Sequence, residues 1–545
     1  MITDYEVFDF RFEVCSVDAR VIIADAGNCF LNLNMSFPNL YQVINVRSIC
    51  LSFLWVLLSG PIGVFGQTVE TQKPLSAEMI QESLRATKAG LPTTNRILIK
   101  QVQENGIDFE IDDAIEKRLR ESGASEELIA GIKEKLCDVF SEKATACPKD
   151  DYKCQIDNYT KALGFHPSDT DVLVNRGIAY HESGNFDNAI KDYTKALAIN
   201  PKDADALNNR GNSYRRKEEY ELAKKDYDQA IVLNPKESDF YFNRAGVHFN
   251  KGEFDLSIKD YSQYIFMKPK AADGYANRGE AYFEKKAYIL AIKDFSNAIS
   301  FEPKKSDYLV NRGRAYVGLK RFDQAIMDFD AAIKLDPKYS YAFHNRGFAL
   351  YKKNEYERAI ADYSKSLEIE PDQSEVYFNR GLVFDSKQDD ESALRDYNKS
   401  IELETNESAA YYNRGVLLLK KKYYEQAILD FTKSSELNPD DPDSYFSRGS
   451  IYIDIEDYDN ALKDFNKVVE LSPKDSSAFT NRGLIYIRMG DNQKSIEDST
   501  TAIRLDPKNE TAYGNRAAVY DLIGEPKKAE ADRKKSEMLT RAQKP

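Results

Sequence analysis

The chain has 545 residues, 76 basic and 89 acidic side chains, and a formal net charge of −13 at neutral pH. That excess of acid argues against a nucleic-acid or anionic-membrane surface. All six cysteines (Cys15, Cys29, Cys50, Cys137, Cys147 and Cys154) fall in the first 154 residues, with neither the spacing of a zinc site nor the density of a disulfide framework.

Residues 1–34 carry no helical or strand periodicity, and Met35 offers an alternative start, so 1–34 reads as an unstructured or non-native extension. Residues 35–66 have the pattern of an export signal. Arg47 supplies the positive charge, and Ile49 to Leu58 supply ten apolar residues. Ser59-Gly60-Pro61 breaks the run, and Val64-Phe65-Gly66 offers a small-residue site with cleavage after Gly66. Ten apolar residues are too few for a membrane-spanning helix, which needs about 20. Extended through Phe65, residues 49–65 form an uncleaved anchor as the alternative, and only that alternative brings membrane contact. Export by either route places the rest of the chain in a periplasm or outside a cell. Trp55, the single tryptophan, lies in this segment.

A polar linker, 67–75, leads to a small helical module over 76–135. Ser76 caps a first helix carrying Met79, Ile80 and Leu84, which ends near Gly90-Leu91-Pro92. Thr94 caps a second with Ile97, Leu98 and Val102 on one face, closed by Asn105-Gly106. A third holds Ile111, Ala114, Ile115 and Leu119 and closes at Gly123. Ser125 caps a fourth with Leu128, Ile129, Ile132 and Leu136. Residues 95–134 resemble a small helical module found ahead of other domains in exported bacterial proteins, a resemblance that implies no chemistry. A helix-turn-helix DNA reader is the sharper alternative, but Glu and Asp crowd its third helix.

From residue 170 onward one phrase governs the chain. Asn-Arg-Gly begins at Asn175 and returns every 34 residues at Asn209, Asn243, Asn277, Asn311, Asn345, Asn379, Asn413, Ser447, Asn481 and Asn515, with Ala245 and Ala517 in place of Gly. A strict period of this length marks a helix–turn–helix array, one stacked body rather than several domains. With each unit begun five residues before the Asn, position 4 is large and apolar, position 8 Gly or Ala, and position 20 Ala or Ser. Position 24 is Tyr or Phe in nine of eleven units, and position 32 is Pro in nine. These positions place one apolar stripe on each of two helices, with small residues where their backbones approach. Pro at 32 ends the second helix. Unit eleven departs from the pattern, with Arg533 at position 24; a polar outer face suits a C-terminal cap. Residues 136–169 are a degenerate copy: Tyr159, Ala162 and Pro167 are in register, but Lys143 stands where Gly is expected, so only its second helix is recognisable. Cys147 and Cys154 flank its turn, where in an oxidising compartment a disulfide between them would pin this end; the alternative is two free thiols.

The pattern resembles the tetratricopeptide repeat in its Asn-Arg-Gly variety, over 170–545 and more weakly over 136–169. The resemblance implies an all-α fold: an α-solenoid, a right-handed superhelix of eleven full helix pairs plus one degenerate N-terminal unit, preceded by the small helical module. It also implies that the first helix of each pair lines a concave groove that receives peptide or protein segments.

Arg at position 7 and Asp at position 23 recur in all eleven units, from Arg176 and Asp192 to Arg516 and Asp532. Matching numbers of acid and base point to a register-fixing ladder of ion pairs rather than a charged binding stripe. By resemblance, the Asn of position 6 points into the groove, so Asn209, Asn243, Asn277, Asn311, Asn345, Asn379 and Asn413 are candidate contacts to a bound backbone. The competing reading is an amide bonded to the solenoid's own neighbouring helix. Specificity then rests on the varying groove positions 2, 5, 9, 12 and 13. Phe348, Tyr351, Phe378, Leu382, Tyr412, Val416, Leu419, Phe446 and Ile453 make these apolar across units six to nine. Such a stripe suits a segment with bulky apolar side chains, or else packs adjacent first helices together. The family's clamp for C-terminal carboxylates needs Lys and Arg at several groove positions, a set missing here.

The four histidines (His166, His181, His248, His344) occupy different units and positions, and no glycine-rich phosphate loop is present, so no catalytic set, cofactor or metal is expected. The sequence therefore reads as a non-enzymatic scaffold that binds protein segments, of bacterial and exported type. The alternative is a structural component of an envelope complex that acts by self-association.

Overall fold

The structure, a computed structural model, describes residues 73–86 and 92–542. The segments read as extension, signal or anchor, and most of the linker, lie outside the described residues. Among the described residues there are 27 helices and one isolated bridge, Leu75 to Ile107. Five helices come first: α1 (Ala77–Ala86), α2 (Pro92–Asn105), α3 (Asp113–Glu121), α4 (Glu126–Thr145) and α5 (Tyr152–Phe165). Eleven pairs follow, from α6 (Thr170–Glu182) and α7 (Phe186–Ile199) to α26 (Glu510–Leu522) and α27 (Pro526–Ala542). From α4 onward each helix packs mainly on its immediate neighbours in sequence, while α2 packs chiefly on α4, and the protein is an all-α solenoid.

The N-terminal helices depart from the sequence expectation in three places. The second starts at Pro92 rather than after Thr94, because proline at the first helical position gives up only an N–H that has no helical partner. The third starts after Asp112, whose carboxylate accepts from the Ile115 N–H at 2.7 Å; Ile111 precedes the helix and is buried. The fourth does not stop at the edge of the degenerate repeat. No Gly or Pro interrupts residues 132–147, so α4 runs 20 residues and packs on α5 as the first helix of that unit. Phe140 and Ala144 of α4 and Tyr159 of α5 join one buried cluster with Ile80, Val102 and Leu119. Cys147 and Cys154 form a disulfide across the α4–α5 turn, with Cα atoms 6.0 Å apart, while Cys137 is a buried free thiol.

In most full units the small residue at position 8 meets the ring at position 24. A Cβ on Gly177, Gly211, Gly313 or Gly381 would stand 2.5–2.7 Å from a ring carbon of Tyr193, Tyr227, Phe329 or Tyr397. Unit three shows the rule by exception. It carries Tyr264 where position 27 is mostly Ala or Ser, and the following unit answers with Gly274, whose Cβ would lie 2.6 Å from that ring.

The ladder is present in every unit. Each position-7 guanidinium donates through Nε and Nη2 to both oxygens of its own unit's position-23 carboxylate, as in Arg312 to Asp328 at 2.8 and 2.7 Å. The third nitrogen, Nη1, donates to position 25 of the preceding unit: Arg176 to Thr160, Arg278 to Ser262, Arg346 to Asp330, Arg414 to Asn398. One arginine thus fixes its own hairpin and fastens it to the one before. The aspartates are buried.

Candidate functional site

Consecutive first helices touch along most of the array, whereas consecutive second helices are held further apart. The stack therefore curves with the first helices on its inner face. On that face a cavity of about 310 Å³ opens across units four to seven. Its lining comes wholly from first helices: Phe283, Arg314, Tyr341, His344, Phe348 and Asn379 among others. These residues stand at positions 2, 5, 6, 9 and 12, which the family resemblance assigns to the groove.

The cavity is built by aromatic and charged contacts between units. The Arg314 guanidinium lies 4.5 Å from the Phe283 ring centre and donates to Glu280 at 2.9 Å, so its charge is already matched inside the wall. His344 is buried, with Tyr341 edge-on at 6.2 Å and Tyr363 behind it at 5.9 Å. The Asn379 amide donates to the imidazole Nε2 of His344 at 3.0 Å. Burial holds the His344 imidazole below its ordinary value of 6.5, against the pull of Glu375.

From Asn209 onward the position-6 amides fall into distinct groups, all half-buried. Asn243 donates to Asn208 of the preceding unit at 2.9 Å, as Asn379 does to His344, and Asn515 reaches the Thr480 carbonyl. Asn277, Asn345 and Asn413 turn back to carbonyls of their own helices at 2.7–2.8 Å. Asn311 accepts from Arg314 at 3.2 Å, and Asn209 is half-buried beside Asn208. Asn345 and Asn379 line the cavity.

The apolar positions divide in the same way. Phe378, Tyr412 and Phe446 lean on the position-24 rings of their own units, Tyr397, Phe431 and Phe465, at 5.3–6.0 Å. Tyr351, Leu382, Leu419 and Ile453 are half-buried against neighbouring core clusters. Phe348 lines the cavity with Lys352 over its ring, and Val416 is exposed. Position 25, the polar residue that joins neighbouring units, escaped sequence reasoning. Its signal was available, since all eleven acceptors from Thr160 to Thr500 are Ser, Thr, Asn or Asp.

Among the described residues no helix is long and apolar enough to cross a membrane. Tetratricopeptide repeat profiles match residues 204–237, 374–407, 408–441 and 476–509, and a TPR repeat profile matches 179–217, 313–354, 349–385 and 449–490. No curated protein matches the sequence. Among solved structures, YrrB, described as a TPR protein with an unusual peptide-binding site, is 27% identical over 34% of this chain and 95% of its own, with a TM-score of 0.32. A tetratricopeptide repeat protein from Parabacteroides merdae is 19% identical over 46% and 98%, with a TM-score of 0.40. The APC/C hetero-tetramer Cut9-Hcn1 is 16% identical over 81% and 99%, with a TM-score of 0.36. Profile matches within 179–237, 313–441 and 449–509, laid on a 34-residue helix-pair period, establish that the chain carries tetratricopeptide repeats.

Proposed function

We propose that this protein is an exported, non-enzymatic scaffold that holds an extended protein segment with apolar side chains along its inner face. The observation that carries this reading is the cavity lined by first-helix residues of four consecutive units. An extended segment laid across the first helices meets a new unit's groove positions at each step, and stacked repeats present such extended concave surfaces. The anchoring region runs from Phe283 and Phe348 toward Val416, where rings and aliphatic side chains are open or half-open. Polar contacts come from Asn345 and Asn379, whose amides border the cavity.

Peptides selected from a displayed random library on the immobilised protein test this. Val416→Asp and Phe348→Asp are expected to weaken the selected peptides by tenfold or more with helicity unchanged. Unchanged affinity contradicts the reading. Export rests on the apolar segment 49–58 and the site ending at Gly66. Removal through Gly66 takes away Trp55, so protein recovered from the producing cell's exterior should lack a tryptophan emission band; a strong band shows that the segment is retained.

A second reading, assembly through the outer face, has its own support. Val232, Phe266, Ile289, Met327 and Leu429 on second helices are largely exposed, Phe266 at 80%. Concentration-dependent association abolished by Phe266→Asp would favour it, and a monomer at all concentrations would count against it.

A further inference from the structure

Away from the groove, three side chains of different chemistry meet where the N-terminal helices join the array. Cys137 belongs to α4, His166 follows the end of α5, and Asp169 caps the start of α6. Their ligand atoms lie within 4.8 Å of one another. Cys137 Sγ is 3.8 Å from Asp169 Oδ2, and the same oxygen is 3.5 Å from His166 Nδ1. Asp169 Oδ1 is already committed, accepting from the Asp171 and Val172 N–H groups at 3.1 and 3.0 Å. The cap thereby fixes the carboxylate with Oδ2 turned to the thiol and the imidazole.

We propose that Cys137, His166 and Asp169 form a site for one divalent cation of the zinc type, with water completing the coordination. Tetrahedral zinc, with bonds of about 2.0–2.3 Å, sets sulfur–oxygen and nitrogen–oxygen ligand pairs about 3.4–3.6 Å apart. The distances of 3.8 and 3.5 Å are within a few tenths of an ångström of that geometry. A thiolate and an imidazole select zinc over magnesium and calcium, which take oxygen ligands. Binding forms the Sγ–metal bond as the thiol proton leaves to solvent; nothing is oxidised or reduced. Half of the His166 side chain is open to solvent, which gives the ion an entry path to the buried sulfur.

The same three residue types occur in cysteine-nucleophile sites, but this geometry argues against one. The carboxylate, rather than the imidazole, is the thiol's partner. Burial, reinforced by the Asp169 charge, pushes the Cys137 thiol up to about 11, away from an activated nucleophile. A bound ion would instead tie α4, α5 and α6 together, in addition to the Cys147–Cys154 disulfide that spans the α4–α5 turn.

Cobalt titration of the full chain, with the disulfide intact, tests the site. A thiolate-to-cobalt absorption band is expected to appear and to be displaced by zinc. Cys137→Ser should remove the contribution of one ion per chain, which separates this site from Cys15, Cys29 and Cys50. Cys137 is buried, so helicity is measured alongside, and the exposed His166→Ala variant gives an independent answer: cobalt affinity should fall by at least about tenfold. Absence of a band that Cys137→Ser removes, or unchanged affinity in His166→Ala, would overturn the proposal.

Discussion

At the scale of the residue, the Asn-Arg-Gly phrase separates into three physical tasks. Gly lets the position-24 ring lie against the first helix. Arg ties its own Asp and the preceding unit's position 25 with three nitrogens. Because the aspartates are buried, removing one arginine leaves an uncompensated charge, which costs about 3–5 kcal/mol. The sequence revealed the Arg–Asp pairing through equal counts but not the third contact, because Ser, Thr, Asn and Asp at position 25 share no single letter. Asn is more varied than its regularity suggests: identical residues donate to a side chain, a neighbouring carbonyl or their own helix, according to what position 5 of the preceding unit offers. His344 makes this dependence titratable. Its imidazole is held below 6.5 by burial, so the folded state resists a proton that the unfolded chain accepts. The His344 contribution to stability is fully present above that pH and is lost as pH falls below it. His344→Asn, which copies the Asn208–Asn243 rung, should flatten the fall in melting temperature between neutral and mildly acidic pH. An identical pH profile in the variant would show that this histidine does not contribute.

At the scale of the element, helix existence was legible and helix boundaries less so. The 34-residue period placed every hairpin of the array, because each helix repeats the same apolar stripe. The N-terminal helices lack that redundancy, so the first helix of the degenerate unit went unrecognised, although it is the second half of α4. The turn inside each unit also stayed hidden. Position 15 adopts a left-handed conformation in all eleven units, yet only Gly184, Gly252, Gly490 and Gly524 are glycine. Glu218, Lys286, Lys320, Asn354, Gln388, Lys422 and Glu456 hold φ between 59° and 63°. A β-carbon in that conformation costs about 1 kcal/mol or more, so Lys286→Gly or Lys422→Gly should stabilise the protein by up to about 1 kcal/mol each. Urea unfolding followed by circular dichroism measures the change; a loss of stability would show that the lysine side chain makes compensating contacts.

At the scale of the whole array, curvature is the property that links repeat to function. First helices gather on the inner face, and the varying positions of the repeat gather with them. Sequence reasoning located the apolar stripe in units six to nine but missed the cavity's beginning in unit four, where Phe283 and Arg314 pair across neighbouring units. It also set His166 aside because the histidines are scattered, although folding brings that residue to Cys137 and Asp169. Both cases depend on side chains from different units whose separation only the solenoid defines. On the proposed reading, the inner face between Phe283 and Val416 receives the partner. Hydrogen exchange with a selected peptide bound tests it most directly. Protection confined to the first helices of units four to eight is the predicted result, and protection of the second helices alone, or none, would contradict it.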